Sequence, residues 1–571
     1  MSADTGYRVA RAFAHGLAES GVEVVALGAG SRSTGAALAF HDDGRFKVYS
    51  FVDERSAAFF ALGAARATDR PAAVVTTSGT AAANLLPAAV EARAAGVPLV
   101  LLTADRPPEL HDVGAMQTVG QIGLLTPALW SADLHTYDEA MERRAAHLAA
   151  QACAFAAGTP SGPVHVNMRF REPLVPSAQV RGEAFDLPSV VHHARAVQAP
   201  DPLAVAAIAE RMRARPRGLI YIGHMEGDAT GLAASVERLA TASGYPVIAE
   251  ATSRLRGKVG DATVVEGAEA LIRAAKFADW YKPDFVLRLG RAPLTRGMLE
   301  WLASLDADQV IVAPGLPWAD PTRSAGEVLA SGEALACAAL AAALDGNDPD
   351  RGWADTWAAS SASARTALDA HLDSTGFFEG TVARCVVRSL PDDALLYTAS
   401  SLSIRALDAF TPASATLEAF ASRGASGIDG TTSAALGATV ATGRPVVCLT
   451  GDLAFLHDLG GLVAASRHQI PLVTVVIDNG GGGLFDFLPQ LKDVDEDTFE
   501  DLFVSSHTLD LLHAAELFGL QFASVHDAAE LDHVLRWAFT EGTAWVIRAE
   551  VRRNVSVEAH AGAWTAVADA L

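Results

Sequence analysis

Apolar residues along this chain alternate between two periods, and the alternation predicts its architecture. From 7 to 20 they recur at Val9, Phe13 and Leu17, one face of a helix, which Gly21 stops. A β-rich run over 22–27 follows, and Gly28-Ala29-Gly30-Ser31 turns into the next helix. The exchange continues with a strand at 48–52, a helix at 56–67 and a strand at 72–76. Then come the turn Ser78-Gly79-Thr80, a helix at 81–94, a strand at 98–103 and a later strand at 164–167. Strands interleaved with helices in this way predict an α/β fold, a parallel sheet covered on both faces.

Two further units repeat that architecture without repeating the sequence. Residues 182–200 are a polar connection with His192, His193 and several prolines. A second unit has strands at 218–222, 246–249, 284–289 and 309–312, with Gly223-His224 after the first but no complete dinucleotide fingerprint. The chain turns polar over 345–352, and a helix at 353–372 leads into a third unit. Its strands are expected at 394–397, 416–420, 445–450, 472–477, 521–525 and 544–550. The predicted division is therefore three parallel-sheet α/β domains over 1–181, 200–345 and 353–571.

Length agrees, since 571 residues exceed one hydrophobic core. Half the residues are hydrophobic and 19% are charged, an ordinary globular balance. A net charge of −23 argues against nucleic acid or an anionic membrane as partner. Cys153, Cys337, Cys385 and Cys448 lie far apart and fit buried thiols in a reducing compartment. With no signal-peptide core in the first residues and no apolar run of spanning length, the expectation is a cytoplasmic protein.

Candidate chemistry gathers at strand ends. The run at 445–450 delivers Gly451-Asp452-Leu453, and the next, at 472–477, delivers Asp478-Asn479-Gly480-Gly481 to the same edge, with a helix at 455–468 between them. Ligands of such folds sit outside the carboxyl ends of the strands. A carboxylate, an amide and a backbone carbonyl are hard oxygen donors, suited to Mg²⁺ held through a ligand's phosphates. Glu54 stands just past the strand at 48–52, where a carboxylate could also simply complement a helix N-terminus.

The spacing of Asp452 and Asn479 resembles the diphosphate–Mg²⁺ motif of thiamine diphosphate enzymes. Longer motifs narrow the resemblance. Gly30-Ser31-Arg32-Ser33-Thr34, Asp53-Glu54-Arg55-Ser56, Thr77-Ser78-Gly79-Thr80 and Thr103-Ala104-Asp105-Arg106-Pro107-Pro108-Glu109 look like one family, as do the stretches 423–430 and 451–458. That family is 2-succinyl-5-enolpyruvyl-6-hydroxy-3-cyclohexene-1-carboxylate (SEPHCHC) synthase of menaquinone biosynthesis. The likeness is close in the first and third domains and loose in the middle one.

The resemblance implies a pyrimidine-binding domain, a central domain and a diphosphate-binding domain, with active sites between two chains of a homodimer or dimer of dimers. It implies thiamine diphosphate and Mg²⁺, or Mn²⁺ in its place, with Asp452, Asn479 and the Gly481 carbonyl as metal ligands. Glu54 would be the catalytic residue, its carboxyl bound to a pyrimidine nitrogen. Ser78, Thr80, Gly451 and Leu453 would contact the cofactor, and Ile428, Leu484 and Phe485 would line its pocket. The reaction implied is decarboxylation of 2-oxoglutarate and addition of the succinyl carbanion equivalent to isochorismate. Guanidinium groups bind carboxylates bidentately. Arg405 and Arg423 match the family's arginines for the donor side, and Arg32, Arg106 and Gln117 match its residues for isochorismate. Ser31, Ser401 and Leu488 would be further substrate-binding positions, Leu488 on the same apolar wall as Leu484 and Phe485.

Several positions depart from the family. Ala29 replaces a usual Pro, Ser400 and Ser422 replace Asn, and Gly480 replaces an Asn beside the metal ligand. Met116 stands where Asn is usual, and Gly297 where a lysine for the acceptor would fall, with Arg296 next door. Both of these last changes lie on the acceptor side. A relative that keeps 2-oxoglutarate as donor but uses another acceptor therefore stays open as the alternative.

Overall fold

The protein is described by a computed structural model covering residues 3–571 apart from 184, 186, 228, 230, 316, 317, 489 and 490. Two positions of the polar connection at 182–200 and the first two of the chain thus lie outside the described residues. Three sheets, parallel throughout, carry the fold, as the alternation of strands and helices requires. The first contains β1 (Val24–Gly28), β2 (Lys47–Phe51), β3 (Ala72–Thr76), β4 (Leu99–Asp105), β5 (Ser131–His135) and β6 (Pro163–Arg169), in the order β2-β1-β3-β4-β6-β5.

The second sheet contains β7 (Gly218–Ile222), β8 (Val247–Ala249), β9 (Phe285–Leu289), β10 (Asp308–Ala313) and β11 (Glu327–Ala330), in the order β11-β10-β9-β7-β8. In the third, β12 (Leu395–Thr398), β13 (Ala419–Ala421), β14 (Val446–Gly451), β15 (Val473–Asp478), β16 (Gln521–Val525) and β17 (Trp545–Glu550) run β13-β12-β14-β15-β17-β16. Central strands such as β3 and β4 are buried along their whole length, which is why they read as near-continuous apolar runs.

Strand order reverses between β1 and β3 in the first sheet and between β12 and β14 in the third. Ligand sites in open α/β sheets form at such switch points. Gly28 and Ser78 therefore stand at one crevice, and Ser401 and Asp452 at the other.

The structure differs from the sequence pattern in a few elements. Strands β5 and β11 were not expected. Both are short, half-exposed edge strands with mixed polarity, so neither shows a clean period. The single helix expected at 455–468 is broken into Asp452–His457, a 3₁₀ turn at Leu459–Gly461 and Leu462–His468, because Gly460 and Gly461 interrupt it. The helix expected at 81–94 is likewise split into Thr80–Ala83 and Leu86–Ala95. Pro87 sits in the first turn of the second piece, where its missing N–H is no loss.

The first and third sheets are joined by a helix crossing. Helix Glu54–Thr68 packs against helix Thr431–Thr442, and two glycines set the distance. A Cβ on Gly63 would lie 1.9 Å from the Ala434 carbonyl oxygen, and one on Gly437 would lie 1.9 Å from that of Phe60. One core, including Phe59, Phe60, Tyr397 and Leu436, runs through the junction. Among the described residues no helix is long and apolar enough to cross a membrane.

Candidate active site

Asp452 ends the β14 turn and is almost wholly buried. Its Oδ1 accepts the Leu453 N–H at 2.6 Å and its Oδ2 the Gly481 N–H at 2.8 Å, which ties the two strand ends together. Burial is the main cause that pushes this carboxyl up to about 6, and the nearby Asp478 carboxylate adds to it. A buried carboxylate without a countercharge is costly, and a divalent cation would supply one. Beside it, the Asn479 Oδ1 is buried without a hydrogen-bond partner among the described residues. Among the described residues the Gly481 carbonyl accepts the Gly483 N–H alone, at 3.0 Å, which leaves it a second lone pair. A carboxylate, an orphaned amide oxygen and a carbonyl thus fit a hard metal ion.

Two neighbours of this group, His507 and Arg548, gave no signal in the sequence. His507 brings its Nε2 to 3.4 Å from Asp452 Oδ2, and one ligand atom each of Asp452, Asp478 and His507 lie within 4.8 Å of one another. Asp478 is already committed: Arg548 Nε donates to one oxygen at 2.5 Å and the Gly480 N–H to the other at 3.1 Å. His507 arrives because its N–H donates to the Gly480 carbonyl at 3.1 Å. That contact depends on the tertiary fold, and no local pattern announces it.

Glu54 opens helix Glu54–Thr68, capped by Asp53, whose side chain accepts the Arg55 N–H at 2.8 Å. Its carboxylate is half-buried and accepts one long hydrogen bond, from Asn84 Nδ2 at 3.3 Å. Thr80, exposed, and Ser78, fully buried, stand across the same switch point. On the third domain Ile428 is 39% exposed, and Leu484, Phe485 and Leu488 are half-buried on the turn that follows Gly481.

The two donor arginines come together. Arg405, on helix Leu402–Phe410, spends one donor on the Ser401 carbonyl at 2.7 Å. Burial, and then the guanidinium of Arg423, lower its pKa from the ordinary value. The Arg423 Nε is itself buried and unpartnered. Among the described residues neither guanidinium forms an ion pair, so two like charges act on each other with no salt bridge to offset them. Ser401 is held at φ 80° and ψ −134°, a conformation that L-residues rarely adopt, as found at constrained sites.

The acceptor-side residues form a separate group at the first sheet. Arg106 donates to the Ser78 hydroxyl and, at 2.7 Å, to the Gln117 carbonyl, while Gln117 Nε2 donates to the Ser78 carbonyl at 2.9 Å. Burial, and then the neighbouring Arg32, lower the Arg106 pKa. Arg32 is buried and donates to the Phe170 carbonyl at 3.0 Å and to Glu172 at 3.1 Å. Ser31 is exposed at the same turn. Met116 projects 88% exposed, and Arg296 is exposed and paired with Glu300 at 2.6 Å. No described hydrogen bond or ion pair links this group to the donor pair.

Comparison with known proteins agrees with the architecture. Residues 7–124 match the family described as thiamine pyrophosphate enzyme, N-terminal TPP binding domain, and residues 404–549 match its C-terminal TPP binding domain. A protein of Geobacillus kaustophilus (strain HTA426) named 2-succinyl-5-enolpyruvyl-6-hydroxy-3-cyclohexene-1-carboxylate synthase is 40% identical over 568 residues, 98% of this chain and 97% of the relative. Proteins of the same name from Myxococcus xanthus (strain DK1622) and Haloarcula marismortui (strain ATCC 43049) are 40% and 38% identical. They cover 98% and 97% of this chain, and 97% and 95% of their own lengths. With the switch-point geometry and this near full-length similarity in hand, the chain belongs to the SEPHCHC synthase family of thiamine diphosphate-dependent enzymes.

Proposed function

We propose that this protein catalyses the decarboxylation of 2-oxoglutarate and the 1,4-addition of the resulting succinyl unit to isochorismate. The observation that carries the reading is the unpaired couple Arg405 and Arg423 beside the Asp452–Asn479 turn. Neither guanidinium is committed to an ion pair among the described residues, which leaves both for a dianionic substrate. The names of the relatives support isochorismate as acceptor, and the alternative acceptor suggested by Met116 and Gly297 is not favoured.

Asp452, Asn479 and the Gly481 carbonyl would hold Mg²⁺. When bound, thiamine diphosphate supplies the carbon that takes up the 2-oxo acid and receives the electrons left by CO₂. Glu54 holds a proton at its carboxyl against the pyrimidine ring. Arg405 and Arg423 orient the donor's carboxylates, Ser401 constrains their crevice, and Ile428, Leu484, Phe485 and Leu488 exclude water from it. Ser31, Arg32, Arg106 and Gln117 receive the acceptor's carboxylates, with Arg106 and Gln117 braced on Ser78.

The working unit is proposed to be a homodimer, with the first domain completing the third domain of a second copy. Support comes from apolar side chains left bare around the first-domain crevice, Val52 at 75% and Val113 at 67% exposed. Four buried, unpaired cysteines support a cytoplasmic setting. The test is a product assay with thiamine diphosphate, Mg²⁺ and 2-oxoglutarate, with and without isochorismate. Release of CO₂ together with the 1,4-adduct is expected. Release of CO₂ with no adduct would overturn isochorismate as the acceptor.

A further inference from the structure

We propose that Glu91 is a positioning residue for the 2-oxo acid, acting on Arg423 through the backbone that follows it. The inference rests on the reading that Arg423 binds the donor's carboxylate. Glu91 lies on helix Leu86–Ala95 of the first domain and is 2% exposed. Its Oε1 accepts the Gly424 N–H at 3.0 Å and its Oε2 the Ala425 N–H at 2.6 Å. Gripping two successive amides fixes the peptide planes immediately after Arg423, and with them the direction in which that side chain leaves the backbone. Gly424 allows the approach: a Cβ there would come within 2.7 Å of the Glu91 carbonyl oxygen and the Ala95 nitrogen.

The carboxylate is itself held from behind. Arg66, fully buried, donates to Glu91 Oε1 at 2.7 Å, to the Tyr397 hydroxyl at 2.6 Å, to the Ser422 hydroxyl at 3.2 Å and to Glu226 at 3.1 Å. One guanidinium thus ties the first sheet's helices to the second-sheet loop and to both flanks of the donor loop. Such an arrangement resists displacement, because moving Glu91 would leave a buried cation short of a partner. Arg423 is the one charged residue of the 422–425 loop, and it carries an unpartnered buried nitrogen. The loop is clamped on both sides of a side chain that is itself left free for a ligand.

The test is steady-state kinetics of the cofactor- and metal-loaded enzyme for E91Q, R423A and the double variant, with thiamine diphosphate affinity measured separately by calorimetry. A glutamine keeps the size but faces an N–H donor with its own amide. E91Q is expected to raise the KM for 2-oxoglutarate at least tenfold, leaving the acceptor's KM and the cofactor's Kd within twofold. In the R423A background the same change should add less than twofold, because coupled residues are not additive. An unchanged donor KM in E91Q, or a full additive loss in the double variant, would overturn the proposal. Should E91Q not fold, E91D carries the same cycle, since it keeps the charge for Arg66 and shortens the reach to the loop. A normal donor KM in R423A would instead remove the donor reading of Arg423, and the inference with it.

Discussion

The Cγ of Glu54 lies 2.7 Å from the point that a Cβ on Gly28 would occupy. Gly28 ends β1 and Glu54 follows β2, its neighbour in the sheet, so the glycine's bare backbone is what lets the carboxylate lean into the switch point. Gly28→Ala should therefore displace Glu54 and lower 2-oxoglutarate turnover by about tenfold. Glu54→Gln, which keeps the shape and loses the acid, should cost on the order of a hundredfold or more in turnover. Cofactor affinity should change far less in both variants, since the loss lies in the transition state. Wild-type turnover in Glu54→Gln, read as CO₂ release, would contradict the assignment.

Cofactor and metal should stabilise the protein only together. A ligand at a hundred times its Kd raises stability by about 2.7 kcal/mol. Asp452 is the buried carboxylate that faces Asn479 and Gly481. Asp452→Ala should abolish the Mg²⁺-dependent rise in Tm that thiamine diphosphate gives the parent enzyme. An undiminished rise would put the metal elsewhere.

Asp458 offers a pH test away from the metal ligands. It is fully buried between the two domains, accepting from Ser433 N–H at 2.7 Å, Ser433 Oγ at 2.9 Å and Ser56 Oγ at 3.2 Å. Burial, opposed by those bonds, pushes it from 3.8 up to about 6. Between those values the folded protein keeps a proton that the unfolded chain has lost, so this group makes stability fall as pH rises. The penalty is absent below 3.8, complete above 6 and roughly 3 kcal/mol in size. Asp458→Asn cannot ionise. Its stability relative to the parent should improve by about 2 kcal/mol between pH 4.5 and pH 7.5 in denaturant unfolding, since part of the penalty is already present at pH 4.5. A difference that stays constant with pH would refute the buried-acid account.

Asp458 also marks where sequence reading stops. As a residue just past the Asp452 turn it reads as helix packing or surface charge. Only the docking of helix Glu54–Thr68 against helix Thr431–Thr442 brings Ser56 and Ser433 onto it. The central strands were legible because burial on both faces leaves an apolar run. Strands β5 and β11 were not, being half-exposed edges. The places of Glu54, Asp452 and Asn479 at strand ends were legible because the apolar runs before them locate those ends. Glu91, His507 and Arg548 were not, because each reaches its partner across a long stretch of chain that no local period records.

The separation of the two arginine groups predicts that the half-reactions can be damaged independently. Arg405 lies near Arg423 and forms no ion pair among the described residues, so Arg405→Ala should impair donor decarboxylation even when no acceptor is present. A charge-assisted bond of this kind contributes roughly 1.5–3 kcal/mol, about ten- to a hundredfold in KM or rate. Arg106 instead belongs with Ser78 and Gln117, so Arg106→Ala should spare CO₂ release and suppress carbon–carbon bond formation. Arg32 is a subtler case, because Glu172 and the Phe170 carbonyl already occupy it. An acceptor carboxylate must compete with Glu172, whose side chain is 72% exposed and free to move aside. Glu172→Gln weakens that competitor and should lower the acceptor's KM by a few-fold with donor saturation unchanged. Arg296 must likewise leave Glu300 if it is to serve the acceptor, so Arg296→Ala should raise the acceptor's KM alone. Equal damage to both half-reactions from Arg405→Ala and Arg106→Ala would show that the two groups serve one undivided pocket.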